Sequence, residues 1–336
     1  MREVLARAWL GRTPLALALW PLAACFGCLV RLRQLLYRWR LLTPQRLPVP
    51  VVIVGNVLVG GVGKTPVVIA LVQHLRERGV VVGVLSRGYA RQTQDMREVR
   101  TECTAKEVGD EPLLIARTTG APVWVGADRV AAGHALLRQH PSVQIIVCDD
   151  GLQHLPLARD IELCVFDERG VGNGWMLPAG PLREPWPRRS SPTVYCFDLT
   201  SASELQEGQH RIIRKLADFA IRSDGARRGL KDWHQLPVQA LAGIAKPYVF
   251  FDMLRAQGLQ LTHTEALPDH GDMDGIVINP TLGEVLCTEK DAVKLWPQHP
   301  EAWAVPLVTT LPIAMLKALD TLLDTKLSSG HGLQTT

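Results

Sequence analysis

The chain has 336 residues, 47% hydrophobic and 21% charged. That balance excludes a disordered or low-complexity protein and leaves room for about two domains. Net charge is +4, but residues 1–50 hold eight arginines against one glutamate, a net +7, so the other 286 residues come to −3. A nucleic-acid binder spreads basic charge over its folded body, so no nucleic-acid partner is expected. Seven scattered cysteines, odd in number, are the usage of a reducing cytosol.

Between Arg12 and Arg31 lie 18 residues without charge, Thr13 to Val30. A spanning helix needs about 20 apolar residues, and Pro14 and Pro21 interrupt this stretch. Its basic flank, Arg31, Arg33, Arg38 and Arg40, suits anionic headgroups, with Tyr37 and Trp39 as interfacial anchors. The expectation for residues 1–40 is an interfacial or shallowly inserted helix that associates with a membrane surface. A true span, a core helix covering a sheet, and a signal peptide cut near Ala23-Ala24 are the competing readings. Cys25-x-x-Cys28 has zinc or redox spacing, but it lacks a second ligand pair and lies within the apolar helix.

A β-branched run, Val51 to Val54, leads into Gly55-Asn-Val-Leu-Val-Gly-Gly-Val-Gly-Lys64-Thr65-Pro66, and an apolar-periodic segment follows. Strand, glycine-rich loop and helix are the context of a phosphate-binding P-loop. The backbone of Gly60, Gly61, Val62 and Gly63 would cradle phosphates, Lys64 would reach the β/γ-phosphates, and Thr65 would ligate Mg²⁺. Leu58 stands where the textual motif has glycine. The pattern points to a nucleoside triphosphate, against the alternative of a turn that merely joins strand to helix.

Strand signals recur at 80–85, 123–125, 143–148 and 163–166, with helical segments at 66–78, about 111–118 and 128–139. Alternation of this kind predicts a parallel sheet covered by helices, with ligands at the carboxyl ends of its strands. The strand at 143–148 ends in Asp149 and Asp150, placed to meet the metal of the loop threonine. Two adjacent aspartates after a strand also cap a turn. Gly151-Leu-Gln153-His154 extends this segment.

The stretch 175–192, rich in Pro, Gly and Arg, reads as an ordered loop or hinge. Beyond it, signals at 193–197, 238–244, 247–257 and 275–278 suggest a second, smaller α/β domain, and the tail from Ser328 reads as disordered. The expected division is 1–40 for the apolar helix, 41–165 for the P-loop domain, completed by about 300–327, and 172–297 for the second domain. Asp110 in Gly109-Asp-Glu-Pro112 is ordinary helix-start chemistry, and a lone His270 reads as a surface loop residue. Thr288-Glu-Lys-Asp291 loosely resembles the Asn-Lys-x-Asp base-reading loop of GTPases, and could equally start a helix.

Together these stretches resemble tetraacyldisaccharide 4'-kinase, the lipid A 4'-kinase family of Gram-negative bacteria. The resemblance is carried, in order, by the apolar N-terminus, Gly55 to Pro66, Ser86-Arg-Gly-Tyr89, Val108-Gly-Asp-Glu-Pro112 and Asp149-Asp-Gly-Leu-Gln-His154. It continues through Leu177-Pro-Ala-Gly-Pro-Leu-Arg-Glu184, Pro268-Asp-His270 and Thr288-Glu-Lys-Asp291. Leu58 fits a family whose loop is loose at its first glycine, whereas Gly271 stands where His, Tyr or Phe is expected. The resemblance implies Mg²⁺-dependent transfer of the ATP γ-phosphate to the 4'-hydroxyl of an acylated glucosamine disaccharide 1-phosphate, at the cytoplasmic face of the inner membrane. It implies two α/β domains whose hinge closes over ATP, and no obligate protein partner is evident. It pairs Asp110 with His270 to activate the sugar hydroxyl, and gives Arg183 and Glu184 to nucleotide and Mg²⁺, Glu184 joining Thr65, Asp149 and Asp150 as a metal ligand.

A different class is a membrane-surface switch ATPase, which shares Gly60-Gly-Val-Gly-Lys-Thr65. That class needs a signature lysine just before the paired glycines, where this chain has Val59. A soluble small-metabolite kinase leaves the apolar N-terminus unexplained.

Overall fold

The computed structural model of the chain describes residues 5, 7–188, 193–197 and 209–331. The chain forms two compact units, one of Met1–Arg87, Asp128–Ile213 and Leu311–Thr336, the other of Gly88–Ala127 and Arg214–Thr310. The units are interleaved; the division expected from the sequence was 41–165, completed by about 300–327, and 172–297. Residues 88–127 group with the second unit, and residues 311–336 with the first. Periodicity reports the type of an element but not which sheet it joins.

The first unit is built on parallel strands in the order Val82–Ser86, Ile145–Asp149, Val51–Gly55, Ile161–Phe166, Thr193–Phe197, Gln209–Arg211. The first four are buried along their whole length, which is why they read as continuous apolar runs. Thr193–Phe197, expected in the second domain, pairs in parallel with Glu162–Phe166 and so extends this sheet. Val54 lies in register with Asp149, which brings the aspartate level with the entry to the P-loop.

Lys64–Glu77 is a helix that buries Thr65, Val67, Val68, Leu71, Val72 and Leu75, the i, i+3, i+4 stripe of a helix lying on a sheet. Its far end is tied to the helix Ile313–His331 through His74 and Arg78, which bond Asp320 at 3.0 and 2.8 Å. That helix runs past Ser328, where disorder was expected, because Met315, Leu319 and Leu323 anchor it. Residues 332–336 lie outside the described residues.

The apolar N-terminus forms the helix Pro14–Arg38, started by Thr13, whose side chain accepts from the Ala16 N–H. Only the small residues Ala16, Ala23 and Gly27 are buried in it. Leu15, Leu17, Trp20, Leu22, Leu29 and Leu32 are exposed, so the core-helix reading does not describe it. It is, among the described residues, the one helix long and apolar enough to cross a membrane. Arg31, Arg33, Arg38 and Arg40 are exposed, as is Trp39, while Tyr37 is half-buried.

The second unit has a mixed six-stranded sheet, ordered Arg227–Gly229, Phe219–Ile221, Trp303–Val305, Glu284–Thr288, Val238–Ala242, Leu261–Ala266. The first two pairings are antiparallel and the other three parallel. Its core holds Trp233, edge-on to Trp303 at 5.4 Å, with Phe250, Phe251 and Leu254 of the helix Pro247–Ala256. Val123–Val125 is a strand, as expected, and pairs antiparallel with Arg97–Val99, a strand the sequence reading did not include. Residues 275–278 form no strand: Gly275 has φ +78° and Val277 is 87% exposed. Two helices of this unit, Asp110–Thr119 and Glu289–Leu295, carry the charged residues taken up below.

Candidate functional site

In the first unit the P-loop residues gather at the carboxyl end of Val51–Gly55. Gly60 and Gly63 have φ of +98° and +72°, a backbone that side chains rarely tolerate. Gly63 is also the N-cap of Lys64–Glu77 and brings no capping side chain. The N-terminal turn thus presents backbone donors and a positive dipole end. Leu58 is fully buried and bridges Leu182, so the apolar residue at the motif's first glycine position is part of the wall behind the loop.

That wall is the stretch read as a loop or hinge. Arg183 N donates to the Val57 carbonyl at 2.7 Å, and Val59 N to that of Pro181 at 2.9 Å. Residues 189–192 of the stretch lie outside the described residues.

Around the loop, Lys64 Nζ lies 3.5 Å from Asp150 Oδ1, and Arg183 Nη1 3.6 Å from Asp150 Oδ2. Arg129, which the sequence reading missed, donates from Nη2 to the Asp150 carbonyl at 2.8 Å. Burial raises the Asp150 pKa, but Lys64, then Arg183 and Arg129, outweigh it and hold the carboxyl below its ordinary value. Asp150 has φ +48°, a left-handed conformation held by these contacts. Asp149 is buried beside it and Thr65 is buried at the helix start.

Both amide atoms of the Asn56 side chain, fully buried at the loop entry, have no hydrogen-bond partner among the described residues. Buried polar atoms of that kind are satisfied by a bound group or by water. The donor set here (two cations, one hydroxyl, two carboxylates, a helix N-terminus) suits a phosphate chain with a hard divalent ion. Among the described residues no three His, Cys, Asp or Glu side chains converge as a metal cage. Mg²⁺ is commonly held by one or two carboxylates plus phosphates, so the set is adequate for it.

Glu184, the fourth metal ligand implied by the resemblance, is hydrogen-bonded through both oxygens. Its Oε1 accepts from Gln153 Nε2 at 2.7 Å, and its Oε2 from Arg188 Nη1 and, at 3.4 Å, from Gln34 Nε2. Gln153 Nε2 also donates to the Asn56 carbonyl at 2.9 Å, so this carboxylate braces the P-loop entry. His154 is pushed down to about 4 by burial and by Arg129 and Arg159, and is neutral near pH 7.

In the second unit a separate cluster forms around Asp110, the first residue of Asp110–Thr119. Gly109 before it has φ +93°, and a Cβ there would lie 3.2 Å from the Gly88 Cα, so only glycine lets the helix start so close to the next chain segment. Asp110 Oδ1 and Oδ2 lie 3.2 and 3.1 Å from His270 Nδ1. Lys290 and Lys294 Nζ stand 3.8 and 3.7 Å from Oδ2. Burial raises the Asp110 pKa, yet the His270 hydrogen bond and the charges of Lys290, His270 and Lys294 bring it below its ordinary value.

Burial lowers the His270 pKa, Asp110 more than reverses this, and the balance is raised. His270 sits at φ +59°, in a turn closed by Gly271 N to the Pro268 carbonyl at 2.8 Å. A Cβ on Gly271 would come within 2.9 Å of that oxygen, which explains glycine at this position. Asp110 and His270 border a cavity of about 330 Å³, together with Tyr89, Lys106, Asp272 and Lys294. A buried but ionised carboxylate bonded to an imidazole and open to a cavity has the chemistry to accept a proton.

The family model described as tetraacyldisaccharide-1-P 4'-kinase matches residues 15–328. The chain belongs to that family. Members named tetraacyldisaccharide 4'-kinase from Acidovorax ebreus and Polaromonas naphthalenivorans are 53% and 52% identical. The first alignment covers 98% of this chain and 97% of the relative, the second all of both. LpxK from Aquifex aeolicus, solved in complex with ATP, has 26% identity and a TM-score of 0.81, covering 93% of this chain and 99% of that one. The family's α/β fold with an N-terminal apolar helix is therefore also the fold of this chain.

Lys290 and Lys294 escaped the sequence reading. One signal was available: they are four apart, on one face of a helix opened by Thr288, whose hydroxyl accepts from Asp291 N.

Proposed function

We propose that this chain is the ATP- and Mg²⁺-dependent kinase that phosphorylates the 4'-hydroxyl of a tetraacylated glucosamine disaccharide 1-phosphate in lipid A biosynthesis. Membership of the family supports the reaction, and the observation that carries the mechanism is the ionised Asp110 bonded to His270 at a cavity. In the proposed step the 4'-hydroxyl gives its proton to Asp110 as its oxygen bonds to the γ-phosphorus. The bond from that phosphorus to the bridging oxygen breaks, and ADP leaves. His270 orients Asp110 and supports its charge.

Lys64 and Arg183 are assigned to the phosphates, on the backbone of Gly60, Gly61, Val62 and Gly63. Thr65, Asp149 and Asp150 are assigned to Mg²⁺, which when bound would neutralise charge on the β/γ-oxygens. Glu184, with both oxygens engaged, is assigned to bracing Gln153 and Arg188. Closure of the second unit over ATP belongs to the same proposal.

The exposed leucines of Pro14–Arg38 and the four arginines support peripheral attachment to the cytoplasmic face of the inner membrane. The test is transfer of labelled phosphate from ATP to the acylated disaccharide 1-phosphate in detergent micelles. Mg²⁺-dependent transfer is the expected result. Hydrolysis of ATP that ignores the lipid would overturn the assignment in favour of a switch ATPase.

A further inference from the structure

Lys290 meets both Asp110 and His270 and two further carboxylates. Its ammonium lies 2.9 Å from Asp269 Oδ1, 3.2 Å from His270 Nε2, 3.6 Å from Glu111 Oε1 and 3.8 Å from Asp110 Oδ2. An ammonium has three protons and no lone pair, so it can only donate. At 3.2 Å it bonds an imidazole nitrogen only if that nitrogen carries the lone pair. The ring proton then resides on Nδ1, the nitrogen facing Asp110.

We propose that Lys290 is the positioning residue of this centre: by donating to His270 Nε2 it fixes the Nδ1–H tautomer, and it opposes formation of the imidazolium. The inference rests on the reading of Asp110 as the group that takes the hydroxyl proton. An imidazole turned to the other tautomer would set a lone pair against the Asp110 carboxylate, and Asp110 would swing away. The remaining neighbours cannot substitute for Lys290. Asp269 lies 3.7 Å from His270 Nε2 and favours a proton there. Tyr89 meets the ring edge-on at 5.0 Å between centroids. Lys294 is held by the Gly271 carbonyl at 3.1 Å and by Asp291 at 3.5 Å, and of the Asp110–His270 pair it approaches Asp110, at 3.7 Å. Lys290 itself is kept charged by Asp110, Glu111 and Asp269, which outweigh its burial.

Loss of this ammonium acts on both partners in one direction. Asp110 loses an attracting cation and is protonated at higher pH, and His270 loses a repelling one and becomes imidazolium at higher pH. The acid limb of the rate profile therefore moves up. With full-length protein in micelles containing the acylated disaccharide 1-phosphate, the Lys290→Met acid limb should rise by about one pH unit. Its alkaline plateau should return to within several-fold of the parent, with KM for ATP unchanged, and Lys290→Arg should restore the limb. A Lys290→Met limb that coincides with the parent's would overturn the proposal.

A second measurement does not depend on turnover. In parent protein with ¹⁵N-labelled histidine, above the histidine's pKa, Nε2 of His270 should resonate as the unprotonated nitrogen. A proton found on Nε2 would sink the proposal whether or not the chain transfers phosphate, and whether or not Lys290→Met folds. A parent protein that transfers nothing would instead refute the kinase assignment, and the tautomer would then decide for Lys290 alone.

Discussion

The two clusters are assembled in opposite ways. The P-loop cluster draws on short segments, 56–65, 149–154 and 183–188, each at or near the carboxyl end of a buried parallel strand or on the wall behind the loop. Its geometry is written by strand, turn and helix rules that act over a few residues. The Asp110 cluster joins Asp110 to His270, 160 residues away, and to Lys290 and Lys294 on a third segment. Each of these residues has an ordinary local explanation, and its chemistry exists only when the unit is folded. A nucleotide cradle can thus be recognised in a chain that conceals its proton acceptor.

Lys64→Ala should break the first cluster most severely, lowering phosphate transfer by about 10³-fold, the scale at which removing one preorganised donor to developing charge is felt. The melting temperature should change little, since Lys64 carries no core; an unfolded variant would show that the lysine is structural. Asp110→Ala should cost about 10² to 10⁴-fold, the range of positioned general bases. If Asp110 and His270 act as a unit, adding His270→Ala should make it little worse. Losses that multiply in kinetic assays would show two independent groups, and the contrast between the clusters would fade.

Replacing Arg31, Arg33, Arg38 and Arg40 with Gln should weaken binding to anionic vesicles by tenfold or more at low salt, each basic residue near the surface being worth about 1 kcal/mol. The difference should shrink at high salt and on neutral micelles. Flotation that is unchanged would remove the arginines from membrane attachment.

The smallest effect concerns Glu289, which opens the helix carrying Lys290 and Lys294 and whose Oε2 accepts from Leu307 N. Burial pushes its pKa from 4.5 up to about 7. A carboxyl raised in this way contributes stability below its unfolded value, and that contribution is lost as pH rises through the folded value. Glu289→Gln should therefore be the more stable protein above pH 7, by on the order of 2 kcal/mol. Below pH 4.5 the two should melt together. Equal stability across that range would mean Glu289 is solvated in the folded protein.

Much of the first unit was legible because its signals are local. The run Val51–Val54 could only be a buried strand, the glycines permit the phosphate loop's backbone, and Asp149 follows from a strand that ends in register with Val54. Asp110 and His270 were legible only through the family's order of motifs, because nothing adjacent to either residue encodes the other. The partners of Glu184, which are Gln153, Arg188 and Gln34, likewise had no signal in the sequence.

By itself the sequence determined the α/β class, the nucleotide cradle with Lys64 and Thr65, and an apolar N-terminal helix flanked by arginines, since each depends on backbone preference and side-chain period within a few turns. Tertiary structure alone decided that 88–127 belongs with 214–310, that Thr193–Phe197 extends the P-loop sheet, and that Lys290 stands against His270. Those are pairings between distant segments. Their free energy comes from burying particular surfaces and charges together, and a one-dimensional pattern does not specify which surfaces meet.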